Sequence, residues 1–415
     1  MAYKTANTSA TVQIVALRHL DPDTLGLCDN LRREAGRCWS DLVQAHVAAR
    51  SQSIWLTETD LNTQTKGGVY ALHSQSIQFL AQQLLANVAT ARQNRAAGDT
   101  QANYPHRDKP FQTVVWKGQW IRMVDGQLIL PNGRKQRDLI LPLPSRFQQA
   151  TIRQVALLWR ADHFEIALTI EEPPNPPARP DGISAGVDLG EINVAAIVTE
   201  RGDALVLNGR YLRSVKRLRN KRHSTLNAKL SRCRKGSRRY TRLKRRKAQA
   251  SAQFYRQQRH ILHTASRRLA GFAREQGVTQ LAIGDVRDIA NGTDKGRKTN
   301  QKLSQWARGQ FERYVEYKVR RFGGSTGHAP EDFSTRTCSV CRHVHSCAPR
   351  GRVLSCSGCG AIVHRDANGG ANICSRAVFG AYGRVQVRQT TYRHACDVVV
   401  PRTQARSSPP VAARR

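Results

Sequence analysis

The apolar pattern of this chain changes period several times along its length, and each change predicts an element. Thr11 to Arg18 alternates apolar and polar residues and reads as a short strand. Asp23 or Thr24 is placed to cap a helix in which Leu25, Leu31, Ala35, Trp39, Leu42 and Val43 recur until about Ala49. A further helical stretch, Ser74 to Arg95, gathers Ile77, Leu80, Leu84, Leu85 and Val88 on one face. From Phe111 the period becomes two. Val114, Trp116, Trp120, Ile121, Leu128 and Leu130 are punctuated by turns at Asp125-Gly126 and Asn132-Gly133. Leu139 to Leu143 follows, and Ile152–Trp159 with Phe164–Ile170 predicts a hairpin around Ala161-Asp162. The expectation is a small antiparallel barrel or sheet with the first helices inserted into it. Its strand tryptophans are expected in the core more than on a nucleic-acid backbone.

Pro173 to Pro180, within E-E-P-P-N-P-P-A-R-P-D-G, reads as a linker, and a second half should begin near Ile183. There I-S-A-G-V-D-L-G-E-I-N-V-A-A-I-V-T-E places Asp188 in an apolar run, with a second run from Val194 to Val198. This is the pattern of a buried central strand turning back on a neighbour. A buried carboxylate needs a cation or a hydrogen-bond network. Taken alone, the stretch suits a satisfied core or turn-capping aspartate equally well. Downstream, Asp366 opens H-R-D-A-N-G-G-A-N-I, where Asp366 to Ile373 is a helix of small residues that can pack closely on a sheet. One carboxylate on a central strand and one on a late helix is what a two-metal phosphodiesterase requires. Between them, Val278 to Ile283 predicts another buried strand, ending in Gly284-Asp285. Lys302 to Phe322 predicts a helix with Trp306, Phe311, Val315 and Val319 as its buried stripe.

Charge narrows the class. The 415 residues carry a formal net charge of +37, with a sequence pI near 10.9. So large an excess opposes compaction unless a polyanion neutralises it, and nucleic acid is the obvious partner. The length allows two or three domains. There is no run of eighteen apolar residues, and Met1 to Thr11 has no signal-peptide core, so a soluble cytoplasmic, nucleoid-associated protein is expected. Eighteen Lys and Arg lie between Arg210 and Lys247 with no acid among them. Leu212, Val215, Leu218, Leu226 and Leu230 keep helical spacing there, and the helical character continues through Leu262 and Leu269. A solvated charged face normally carries Glu partners. This one does not, which favours a helical hairpin lying along phosphates, with Arg238, Arg239, Arg245 and Arg246 as contacts.

Cys338-Ser-Val-Cys341 and Cys356-Ser-Gly-Cys359 form two knuckles separated by fourteen residues. Four thiolates at this spacing close a tetrahedral site with no open position, so a structural Zn²⁺ is expected. His343, His345 and Cys347 are surplus to four-coordination and read as loop residues. The scattered remaining cysteines suit a reducing compartment.

G-V-D-L-G, a basic helical region, T-C-S-V-C…C-S-G-C-G and H-R-D-A-N-G-G-A-N-I together resemble the TnpB family. These are OrfB-type proteins of insertion sequences, RNA-guided nucleases related to type V CRISPR effectors. The resemblance is specific from Ile183 to Ser375 and architectural before that. It implies an α+β multidomain fold: an N-terminal wedge β-barrel over 1–172 with a helical recognition insert at about 24–105, and a linker over 173–182. A RuvC-like nuclease domain of RNase H fold would span 183–335, with the basic hairpin at about 210–275. A zinc ribbon that binds target nucleic acid would occupy 336–362, the last RuvC motif 363–376, and a disordered basic tail 377–415. The resemblance also implies catalytic Mg²⁺, a guide RNA from the element's end and a double-stranded DNA target in a bacterial or archaeal host. On that mapping Asp188 and Asp366 are the first and last catalytic carboxylates and metal ligands.

The middle carboxylate departs from the family pattern, which places Glu and then Asp where this chain has Gly284 and Asp285. Only Asp285, Asp288, Glu312 and Glu316 lie close by in sequence. Asp285 is shifted by one residue, which turns a strand side chain to the opposite face. Glu316 is therefore the preferred replacement, although an i,i+4 surface pair with Arg320 is its ordinary alternative. Two other functions remain open: a nuclease-dead RNA-guided DNA-binding protein, and a transposase or accessory protein in DNA transposition. Against the last, the chain shows no tyrosine nucleophile beside a His pair.

Overall fold

The computed structural model describes residues 10–287, 296–349 and 351–397. The chain divides into two compact units, Met1–Pro174 and Asn175–Arg415. In the first, β1 (Ala10–Leu17) precedes three helices, α1 (Pro22–Ser51), α2 (Glu58–Gln64) and α3 (Ser74–Ala96). Then come β2 (Val114–Lys117), β3 (Arg122–Val124), β4 (Gln127–Leu130), β5 (Leu139–Pro142), β6 (Ile152–Trp159) and β7 (Phe164–Glu171). Asp21, not Asp23 or Thr24, caps α1: its Oδ1 accepts from the Thr24 amide at 2.9 Å, and Pro22 pre-sets the first turn. β1 pairs antiparallel with β7 along its whole length, so the helices are inserted between two strands of one sheet. That sheet runs β1-β7-β6-β2, and a second runs β3-β4-β5. Trp116 is buried and donates its indole N–H to the Pro131 carbonyl at 2.8 Å. Trp120 and Trp159 lie on the surface instead.

The second unit holds β8 (Ile183–Leu189), β9 (Asn193–Thr199), β10 (Asp203–Asn208), α4 (Arg210–Leu230), α5 (Arg238–Glu275) and β11 (Val278–Gly284). These are followed by α6 (Arg297–Ser304), α7 (Arg308–Arg320), β12 (Ser325–Ala329), β13 (Val353–Ser355), β14 (Ile362–His364), α8 (Arg365–Phe379) and β15 (Gln389–His394). Six strands form one sheet in the order β12-β11-β8-β9-β10-β15. β8, β9 and β10 are an antiparallel meander, whereas β11 and β12 run parallel to β8, and β15 runs parallel to β10.

The alternation along the strands assigns the two faces. Ala185, Val187 and Leu189 with Leu281 and Ile283 join a core that includes Leu262 and Leu269 of α5 and Phe311, Val315 and Val319 of α7. Ala196 and Val198 face the other way, onto Ala367, Ala371 and Cys374 of α8. On this second face the backbones nearly touch. A Cβ added at Gly186 would stand 2.3 Å from both the Gly370 carbonyl oxygen and the Cys374 amide nitrogen.

Three expectations are corrected. The helix foreseen over Lys302–Phe322 is broken into α6 and α7, and the break lets Trp306 line the core beside Leu189, Leu212 and Leu262. Leu218 on α4 is 48% exposed, because the buried side of that helix ends at Lys216 and its remainder packs mainly along α5. The stretch after Arg376 is ordered as far as it is described. β15 closes the β10 edge, and Val385, Ala395 and Cys396 are buried. The end of the expected tail, 398–415, and Asp288 lie outside the described residues. No described helix is long and apolar enough to cross a membrane.

The helix–sheet contact makes a stability prediction. Gly186→Ala should destabilise the protein by about 3 kcal/mol, the upper end for overpacking, since the opposing atoms are backbone and cannot rotate away. Gly271→Ala in α5, where an added Cβ meets nothing within 4 Å, should instead be neutral or stabilising by up to about 1 kcal/mol. Urea midpoints of the two variants against the parent decide the matter.

Candidate active site and metal centre

Asp188 stands near the end of β8, and its alternation with Val187 and Leu189 turns it to the α8 face. It is 9% exposed. The helix accommodates it only because of a glycine: a Cβ at Gly369 would fall 2.7 Å from Asp188 Oδ2. Asp366 lies one turn earlier on the same side of α8, in the first turn, where the helix dipole favours a carboxylate. The small residues therefore bring a strand carboxylate and a helix carboxylate to one place.

Their electrostatic surroundings differ. Asp366 accepts a hydrogen bond from Asn193 Nδ2 at 2.7 Å and pairs with Arg352 and Arg365, each at 3.0 Å. Burial alone would raise its pKa, but the Asn193 hydrogen bond and the two guanidinium groups outweigh burial and hold it below the usual carboxylate range. Asp188 goes the other way. Burial, then the charges of Asp366 and Glu331, push it well up, and Arg365 and Arg352 offset only part of this.

The remaining expected acids are engaged elsewhere. Asp285 is clamped by Arg287, whose Nε and Nη2 reach it at 2.9 and 2.6 Å, and these hydrogen bonds pull it down to about 2. Glu316, preferred from the sequence, is paired with Arg320 one turn away and is 37% exposed. The surface i,i+4 pair is thus what the helix forms, because the buried stripe of α7 is Phe311, Val315 and Val319 and leaves Glu316 off its axis. Glu312 lies 3.6 Å from His328.

The acid that sequence reading missed is Glu331. It follows β12 by two residues and approaches Gly284: an added Cβ there would be 2.7 Å from Glu331 Oε2. Burial, then Asp285 and Asp332, push Glu331 up to about 7. Its signal was present in H-A-P-E-D, an acid just past the end of the strand parallel to β11. That signal becomes visible only once β12 is known to lie next to β11.

The four cysteines converge as their spacing predicts. The Sγ atoms of Cys338, Cys341, Cys356 and Cys359 all lie within 4.8 Å of one another, with Cys338–Cys359 at 3.9 Å and Cys341–Cys356 at 3.5 Å. Four thiolates around one tetrahedral ion with bonds of about 2.3 Å stand about 3.8 Å apart, so the set fits a metal. The amides of Val340 and Gly358 point at the first sulfur of each knuckle, both at 3.4 Å. His343 bonds Ser357 instead, and Cys347 is exposed.

The family model described as "Probable transposase" (OrfB_IS605) matches residues 166–290, and the model for the Cas12f1-like TNB domain matches residues 309–373. The two matches fall in the order that the β8 and cysteine motifs require. Over these residues the chain is similar to TnpB-type proteins. Two curated proteins, from Mycobacterium tuberculosis strains CDC 1551 / Oshkosh and ATCC 25618 / H37Rv, are each 31% identical to it over 204 residues. Both bear the name "Putative RNA-guided DNA endonuclease". The match covers 47% of this chain and 42% of each relative, so the chain spans under half the length of the curated relatives it matches. A solved structure titled "Cryo-EM structure of the Cas12f1-sgRNA-target DNA complex" covers 85% of this chain and 83% of its own, with a TM-score of 0.61 at 10% identity. That likeness is one of fold.

Eighteen of the 67 Lys and Arg fall between Arg210 and Lys247, from α4 to the start of α5. Arg238, Arg239, Arg245 and Arg246 are exposed on α5, and none has an acidic partner among the described residues. Elsewhere on the hairpin, α4 and α6 line a cavity of about 790 Å³ with Arg210, Arg213, Lys216, Arg217, Lys221 and Lys302. Glu191 is the one acid among its lining residues.

Proposed function

We propose that this chain is an RNA-guided DNA endonuclease of a transposable element, hydrolysing phosphodiester bonds at Asp188 and Asp366. The observation that carries the reading is the meeting of these two carboxylates on one face of the β8–α8 contact. The strand order is that of an RNase H fold: a three-stranded meander with two parallel strands added beside its first strand. A RuvC-like domain is therefore the natural reading of the second unit. A wedge barrel with a helical insert is the reading of the first, and a zinc ribbon that of the cysteine knuckles. The names of the curated relatives and the Cas12f1 likeness support a guide RNA and a DNA target as partners. The basic hairpin supplies the phosphate-binding surface, with Arg238, Arg239, Arg245 and Arg246 at its exposed end.

The donor set fits Mg²⁺. Asp188 is buried, and among the described residues no ion pair or hydrogen bond offsets its charge. Hard carboxylate oxygens are what Mg²⁺ selects. When bound, Mg²⁺ supplies the Lewis acidity that activates water and stabilises charge on the scissile phosphate. Asp188 and Asp366 hold that site, and Asn193 fixes the Asp366 carboxylate in place. Arg352 and Arg365 balance Asp366 in the absence of another cation, and their planar donors equally suit phosphate oxygens. Arg352 comes from the cysteine-knuckle segment, so that segment's order is coupled to the active site.

Asp188→Asn and Asp366→Asn should each lower plasmid cleavage at least about a thousandfold, taking the loss of an essential group as about 4 kcal/mol of barrier. Guided DNA binding should be unchanged. Cleavage is measured with RNA transcribed from the DNA flanking the gene and with Mg²⁺, beside a binding assay on the same samples. A parent protein that binds its target and never cuts would favour the nuclease-dead reading.

The cysteine centre makes an independent prediction. The purified chain should contain one Zn²⁺, and Cys356→Ser should lose it together with the order of the knuckles. Elemental analysis reads this directly, and metal-free protein with intact knuckles would remove the zinc reading.

A further inference from the structure

We propose that Glu331 supplies the third carboxylate of the metal site, taking the place of the side chain that Gly284 lacks. The inference rests on the nuclease reading above and adds a ligand to it. β11 lies next to β8 in parallel register, Ile283 opposite Val187, so the residue after Ile283 stands beside Asp188. Ile283 and Val187 both face the α5 and α7 core. Gly284 and Asp188 therefore both face α8. A side chain at Gly284 would enter the metal site, and this chain has none to offer there.

The vacated space is filled from the next strand. Two groups border the position a Gly284 Cβ would take: Glu331 Oε2 at 2.7 Å and Ile373 Cδ1 at 2.8 Å. The route follows from strand geometry. Gly284 pairs with Ala329, the last residue of β12, and Glu331 comes two residues later, on the same side by the two-residue period. Pro330 between them removes a donor amide where the strand ends and restricts the backbone. A glycine ending one strand and a glutamate just past the end of its parallel neighbour thus place one carboxylate where a single glutamate would otherwise stand.

Chemistry favours a ligand over a packing role. Glu331 Oε2 borders the position beside Asp188 that a Gly284 side chain would take, and neither acid has an ion-pair or side-chain hydrogen-bond partner among the described residues. The acids that the sequence offered are placed otherwise: Asp285 pairs with Arg287, Glu316 pairs with Arg320, and Glu312 lies 3.6 Å from His328. Two neighbouring, like-charged carboxylates, Asp188 buried and Glu331 half-buried, are costly unless a cation joins them.

The test titrates the full chain with Mn²⁺ alone, following free Mn²⁺ by electron paramagnetic resonance. Glu331→Gln, which keeps the shape, should weaken Mn²⁺ binding at least about tenfold, as Asp188→Asn does, and Glu316→Gln should leave it unchanged. Zinc content and melting temperature report that each variant is folded. The exchange Gly284→Glu with Glu331→Ala should regain affinity to within a few-fold of the parent, which a packing role would not produce. Parent-like Mn²⁺ affinity in Glu331→Gln, alongside weakened binding in Asp188→Asn, would overturn the proposal and leave the nuclease reading standing. If neither Asp188→Asn nor Asp366→Asn weakened Mn²⁺ binding, the metal site itself would fall, and Glu331 with it. A folded exchange variant that stayed weak would also count against a shared position.

Discussion

The second unit depends on how closely α8 approaches the sheet. Gly186, Gly369 and Gly370 remove the side chains that would hold helix and strands apart, and backbone atoms of α8 come to van der Waals distance of β8. The asymmetry between the two faces follows. One is a conventional apolar layer under α5 and α7, and the other is a thin contact built from Ala and Gly. Only the thin contact allows a short aspartate on the strand to face another on the helix. Any larger residue at Gly369 would displace Asp188, so packing and chemistry are one constraint here.

That constraint explains the charge arrangement around the site. Burying two carboxylates together is unfavourable, and the fold offsets it unevenly. Asp366 has Asn193, Arg352 and Arg365 as direct partners, while Asp188 and Glu331 have no ion pair among the described residues. On the proposed reading, a bound cation would balance the uneven division. The rest of the molecule is the converse, an excess of cations on α4 and α5 with few acids to meet them. A polyanionic substrate and a bound cation would answer both imbalances at once.

Much of this was legible in the sequence because it is local. The buried run around Asp188, the small-residue helix after Asp366 and the paired cysteines each announce themselves within about ten residues. The helices α1 and α3 and the β6–β7 hairpin follow from apolar period. What could not be read was pairing across the sheet. Among the acids close by in sequence, Glu316 is the preferred replacement for a glutamate at Gly284, because it sits on a helix packed against the core while Asp285 is turned to the other face. Nothing short of the β11–β12 register shows that Glu331 is nearer in space. The order in the chain beyond Arg376 escaped for the same reason: β15 is polar and short, and it is a strand only because β10 offers an edge.

The most direct measurement is a crystal of the full chain soaked in Mn²⁺, with anomalous diffraction recorded at the manganese edge. The account predicts anomalous density enclosed by Asp188, Asp366 and Glu331, with the Asp366 carboxylate turned from Arg352 toward the ion. Density at Asp285 or Glu316 instead, or none near Asp188 while other sites fill, would contradict it.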